Sequence, residues 1–236
     1  MARQDSPGKY RNQLLRALAV EDLARLEPHL KSVALALRTP LEQPNRSVAD
    51  LYFLEEGIAS VVVVTTPASK GEVGLVGREG VSGLCVLLGD NRTPHSVYMQ
   101  LSGKGFRIEA DVMRMALEQS TSLRTLFLRY AHSFVLQLSH TAAANVNAPV
   151  ERRLARWLLM AHDRIGNNEI TLTHEFLGLM IGTRRAGVTE AVRALAKRGL
   201  IRATRGNILL LDRRGLETQA GRFYGIAEAE YRRLIG

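Results

Sequence analysis

The spacing of apolar positions changes several times along the chain. Between residues 10 and 30, Leu14, Leu15, Leu18, Leu23 and Leu26 recur near helical spacing until Pro28, which predicts one or two short helices. From about 33 to 110 the apolar runs shorten and become β-branched: VADLYFLEEGIASVVVVTT, EVGLVG, LCVLLG, HSVYMQLS and GFRIEA, cut by turn-formers such as PASKG, GREG, GDNRTP and SGKG. Strands this closely spaced predict a small barrel or sandwich. From about 111 to 145 helical spacing returns, with no proline before Pro149. Leu123, Phe127, Tyr130, Phe134 and Leu138 form one stripe, while Leu126, Leu128, Val135, Leu136 and Ala142 point elsewhere, so the helix needs cover on more than one side. One cover is its own β-domain. The other is the same helix of a second subunit across a two-fold axis, with Leu123, Phe127, Tyr130, Phe134 and Leu138 as the expected dimer interface and burial wholly inside its own domain as the alternative.

The remaining pattern is helix, helix, turn, helix, hairpin. Pro149 to Ile165 is amphipathic, with Leu154, Trp157, Leu158 and Ala161 on one face, and GNNE ends it. Thr173 is placed to cap a short helix from His174 to Ile181, and Gly182 supplies a turn. In the next helix, 183–198, Val188, Ala191, Val192 and Leu195 face inward. LIRATRGNILLLD then alternates into two strands around Arg205, Gly206 and Asn207, which completes a winged helix-turn-helix. The outer face of helix 183–198 carries Thr183, Arg184, Arg185, Ala186, Thr189, Glu190, Arg193 and Lys197. Arg184 and Arg185 stand at a helix start, where the macrodipole favours anions over cations. A DNA major groove supplies that anion: arginine donates two parallel bonds to guanine and glutamate accepts from cytosine N4. Arg202, Arg205, Lys197 and Arg198 are expected beside phosphates, which add affinity without sequence choice. An ordinary solvated basic face is the plainer alternative.

Charge supports the DNA reading by its distribution. The chain of 236 residues has room for two domains and a formal net charge of +9. Residues 150–236 hold 16 Lys+Arg against 9 Asp+Glu, a balance of +7, whereas residues 1–149 hold 16 against 14. The one cysteine, Cys85, excludes an internal disulfide and cysteine-rich metal or iron–sulfur sites, and in GLCVLLG it reads as a small buried hydrophobe. Charges throughout the first 23 residues leave no signal-peptide core, and Arg124, Arg129 and His132 interrupt the most apolar long segment, 123–138. A soluble, cytoplasmic protein without a membrane partner is expected. The 6 histidines lack metal-ligand spacing, and no nucleophile elbow, Walker or dinucleotide glycine pattern occurs. The chain is therefore expected to be no enzyme and to hold no metal or cofactor. A basic module that meets an acidic protein or a membrane is the rival from another class.

LYFLEEGIASV (51–61) and LTHEFLGLMIGTRRAGVTEAVRALAKRGLI (172–201), in this order around a long helix, resemble the Crp/Fnr family of bacterial transcription regulators. The resemblance spans about residues 10–211 and implies an α+β fold. Its parts are an N-terminal double-stranded β-helix or jelly-roll-like barrel (10–110), a dimerisation helix (111–146) and a C-terminal winged helix-turn-helix (147–220), followed by a helical extension (221–236). It implies double-stranded DNA, a second copy of the chain and RNA polymerase as partners, with helix 183–198 reading an inverted repeat. The family's base-reading slots fall on Arg185, Ala186 and Glu190. Its cyclic-AMP-responsive members carry Arg, Glu and Arg there, so their half-site is not carried over. Their ribose-binding carboxylate is replaced by Val81, next to Ser82, whereas Arg92 and Thr93 match the phosphate-binding pair. Cyclic AMP control is not expected. A response to a cyclic nucleotide or another small anion through Arg92 and Thr93 is the alternative.

Overall fold

The computed structural model describes residues 9–66, 69–172 and 174–236. Two short helices, α1 (Gln13–Ala17) and α2 (Val20–Leu26), open the chain. Asn12 starts α1 by accepting from Leu14 N and Leu15 N, while its Nδ2 donates to the carbonyls of Leu54 and Gly80. One buried amide thus caps a helix and fastens it to the strands behind it.

Seven strands follow: β1 (Lys31–Leu35), β2 (Pro40–Glu42), β3 (Asp50–Leu54), β4 (Ile58–Thr66), β5 (Ser69–Val76), β6 (Ser96–Leu101) and β7 (Gly103–Glu109), with a short helix α3 (Leu84–Leu87) between β5 and β6. They form two antiparallel sheets, ordered β1-β7-β3 and β2-β6-β4-β5, in a jelly-roll-like arrangement that does not close into a barrel. Leu35, Leu41, Leu54, Val61, Val97 and Met99 fill the core between them. Along β4, Ala59 and Val61 join that core and Ile58 packs with the C-terminal domain, whereas Val64 near the far end of the strand is exposed. Gly57 makes the turn into β4 at φ +85°, where an added Cβ would lie 2.6 Å from the Leu101 carbonyl oxygen.

The helix expected from 111 to 145 is two. Helix α4 (Ala110–Gln119) stops at extended Ser120, whose hydroxyl accepts from Leu123 N and starts α5 (Thr121–Asn147). Ser120 and Ser122 both donate to buried Asp22, so the break is a hydrogen-bonded joint. On α5, the stripe expected to face a second subunit is occupied by the chain itself. Leu123, Phe127, Tyr130 and Phe134 are buried among the residues of the β-domain, and Leu138 packs half-buried beside them. An apolar stripe is covered first by the apolar surface tethered next to it, here the sheets. Leu128, Val135 and Val146 are the large apolar side chains of α5 left exposed. Among the described residues no helix is long and apolar enough to cross a membrane.

The C-terminal part comprises α6 (Val150–Ile165), β8 (Glu169–Thr171), α7 (His174–Met180), α8 (Arg185–Lys197), β9 (Ile201–Thr204), β10 (Asn207–Leu210), α9 (Arg213–Ala220) and α10 (Ile226–Ile235). The expected hairpin is β9-β10, and β8 adds a third strand on the far side of β10. Three residues are too few for a period-2 signal, so β8 is not legible in the sequence, where GNNE marks only the end of the preceding helix. Helix α10 folds back on α5, where Ile235, Leu234 and Tyr231 join the β-domain core.

Candidate nucleic-acid interface

Helix α8 is held by Val188, Ala191, Val192 and Leu195, all buried against α6, α7 and the wing strands. Its start is set by a tight turn: Gly182 takes φ +58°, and Thr183 N donates to the Gly178 carbonyl at 3.0 Å. Arg184 is the N-cap without a side-chain capping bond, and the first turn of α8 holds no acid. The positive end of the helix and two arginines therefore point the same way into solvent.

The structure brings the expected surface residues to one face. Arg184, Arg185, Ala186, Glu190, Arg193 and Lys197 are exposed, with Thr183 and Thr189 at the edge. The Thr189 hydroxyl donates back to the Arg185 carbonyl at 3.1 Å. Arg202 and Arg205 are exposed on the wing, where Gly206 turns at φ +80°. Among the described residues none of Arg184, Arg185, Arg193, Lys197, Arg202 and Arg205 forms an ion pair. Elsewhere some arginines are paired, such as Arg213 with Asp163 and Glu217. Others, such as Arg16, Arg46 and Arg92, are exposed without an ion pair among the described residues, so what marks this face is the gathering of its cations on one helix and wing. Arg198, expected beside phosphates, is engaged elsewhere: its Nη2 lies 3.2 Å from Glu151 and its Nη1 donates to Gln219. Thr173 lies outside the described residues.

The second expected site is only partly assembled. Val81, Ser82 and Thr93 line a cavity of about 220 Å³ between the sheets and α5, together with Glu42, Cys85, Tyr130 and Phe134. Arg92 is exposed and is not among the lining residues. The Ser82 hydroxyl already accepts from Tyr52 N, and the Tyr130 hydroxyl donates to the Val81 carbonyl. Glu42 is the one carboxylate in the lining, which contains no Lys or Arg. Burial raises its pKa against the bond it accepts from Gly83 N. Burial likewise pushes the Cys85 thiol up to about 11, which keeps it protonated. The cavity has the character of an apolar pocket with one buried acid, the opposite of an anion clasp. Glu42 gave no signal in the sequence, because only the pairing of β2 with β6 carries it to the cavity.

Comparison with known proteins places this geometry. Residues 152–219 match the family model of the Crp-like helix-turn-helix domain. No curated protein matches the chain. Among solved structures, FixK2 from Bradyrhizobium japonicum has a TM-score of 0.71 at 11% identity, over 81% of this chain and 98% of that chain. A CRP-family transcriptional regulator from Thermus thermophilus has a TM-score of 0.65 at 21% identity, over 81% and 96%. The c-di-GMP responsive global regulator CLP from Xanthomonas campestris has a TM-score of 0.62 at 16% identity, over 82% and 100%. At such identities the likeness is one of fold. Residues 152–219 are therefore a Crp-like helix-turn-helix domain, set in a chain with the fold of the Crp/Fnr-type transcription regulators.

Proposed function

We propose that this protein is a transcription regulator of the Crp/Fnr type that binds double-stranded DNA sequence-specifically as a homodimer. The observation that carries the reading is the outer face of α8 and its wing: six exposed cations without ion pairs among the described residues, two of them at the positive end of the helix, inside a Crp-like helix-turn-helix domain. Arg185 reads a guanine from the N-terminal turn of α8, with Arg184, Glu190 and Arg193 beside it, and Arg202 and Arg205 hold phosphates. Leu128, Val135 and Val146 lie 7 and 11 residues apart on α5, a spacing that keeps them on one side with His132, Ser139 and Ala142 between. Two such faces pack across a two-fold axis, so the operator is an inverted repeat with half-site centres roughly 10 bp apart. Cyclic AMP does not control the protein, because Val81 offers no acceptor for a ribose hydroxyl and the cavity lining has no Lys or Arg for a cyclic phosphate.

Two substitutions test this together. Arg185→Ala lowers affinity for the selected operator by about 1–3 kcal/mol and relaxes one position per half-site, whereas Arg205→Ala weakens every sequence alike and reduces the salt slope by about one per subunit. Selection of bound sequences from a random pool, followed by gel shifts at two salt concentrations, separates the two. An unchanged motif with Arg185→Ala removes that residue from the readout, and binding without any sequence preference replaces the regulator reading with a basic module.

A further inference from the structure

A second cavity, of about 430 Å³, lies where the β-domain, α5, α6 and α10 meet. It shares Tyr130 and Phe134 with the pocket between the sheets but none of its charged lining, and α10, which closes it, lies outside the residues matched by the helix-turn-helix family model. Its floor is Tyr130, Phe134 and Gln137 of α5, and its walls include Arg78 and Glu79 after β5, Arg164 of α6, and Tyr231 and Arg232 of α10. These groups are tied to one another across the domains. Arg164 Nη2 lies 2.8 Å from Glu79, Arg78 Nη2 donates to the Asp163 carbonyl at 2.7 Å, and the Tyr231 hydroxyl donates to the Glu79 carbonyl at 2.7 Å.

The ties leave specific atoms over. Arg164 is 7% exposed, and its Nε is buried without a hydrogen-bond partner, as are Arg78 Nε and Glu79 Oε2. Buried polar atoms are costly unless paired, so two N–H donors and one carboxylate oxygen in one cavity describe the groups that would satisfy them. Arg232 stands exposed at the rim with no ion pair among the described residues. The other acids of the lining are engaged: Asp163 by Arg213 and Tyr224, and Glu228 by the backbone N–H of Gly225. The uncommitted charge is therefore positive, the uncommitted acceptor is Glu79, and the floor is aromatic.

We propose that this cavity is a binding site for a small aromatic acid that also carries a hydroxyl or ammonium donor. The acid group meets Arg232 and the free Nε–H groups of Arg78 and Arg164, the donor meets Glu79 Oε2, and the ring lies on Tyr130 and Phe134. Because its walls come from both domains and from α10, an occupant holds the helix-turn-helix domain in its place against the sheets. The site does not depend on the DNA reading, and its test uses no DNA.

Calorimetry on the full chain with 4-hydroxyphenylacetate as the probe, phenylacetate lacking the donor, and 2-(4-hydroxyphenyl)ethanol lacking the acid tests the assignment. The expected result is saturable binding of the first at millimolar concentration or below, weaker binding of the second, and none of the third. Arg232→Ala, at an exposed position that leaves the core intact, lowers the affinity for 4-hydroxyphenylacetate about tenfold or more, and Arg232→Lys recovers part of it. Leu88→Trp, which narrows the exposed edge of the other cavity, changes nothing. The proposal is overturned if 4-hydroxyphenylacetate fails to saturate, if the alcohol binds equally well, or if Leu88→Trp abolishes binding while Arg232→Ala does not.

Discussion

Substituting Glu72→Gln should remove a pH-dependent part of the stability, because this carboxyl is the buried joint between the two domains. Glu72 is 5% exposed on β5, and its Oε1 accepts from Trp157 Nε1 of α6 at 2.8 Å, while Oε2 accepts from the Ser60 hydroxyl. Burial raises its pKa from 4.5 to about 7, against the hydrogen bonds of Ser60 and Trp157 and the charges of Arg164 and Arg156. The folded protein thus holds this proton more tightly than the unfolded chain. Its contribution to stability is full below about pH 4.5 and is lost as pH rises through about 7, a loss on the order of 3 kcal/mol. Glutamine imitates the neutral form: its carbonyl accepts from Trp157, and its amide donates to Ser60, whose hydroxyl has Gln100 Oε1 at 3.3 Å. Trp157 is the only tryptophan of the sequence, so urea unfolding followed by fluorescence reports on this joint directly. Wild type and Glu72→Gln should be close at about pH 5, and the variant more stable at about pH 8 by on the order of 3 kcal/mol. Parallel stability curves across that range would refute the reasoning.

Two further outcomes follow from the same structure. Leu128→Glu with Val135→Glu should turn a dimer into a folded monomer in sedimentation, whereas Phe134→Glu should unfold the protein by placing a charge in the core at a cost of several kcal/mol; a dimer that survives the double change assigns the interface to another face. Calorimetry with cyclic AMP should give no binding at micromolar concentration, and tight binding would show that the cavity beside Val81 recruits a cation from outside its present lining.

Much of this architecture was legible along the chain, and for a local reason. The changes of period, the glycine turn at Gly182 and the buried set Val188, Ala191, Val192 and Leu195 depend on residues within a few turns of one another, so spacing alone specifies most of the elements and the outward face of α8. Arg184 and Arg185 were legible for the same reason, since a helix start and its charges are adjacent in sequence. What needed the tertiary structure was every question of which surface covers which. The stripe Leu123, Phe127, Tyr130 and Phe134 and the face of Leu128, Val135 and Val146 are both apolar and both helical in spacing, and only the docking of the sheets buries the first and leaves the second open. Glu42, Glu72 and Glu79 look like ordinary surface acids until strands and helices distant in sequence close over them. Burial of a carboxylate is a property of its neighbours in space, and β2 against β6, β5 against α6, and α10 against α5 are pairings that no local period encodes.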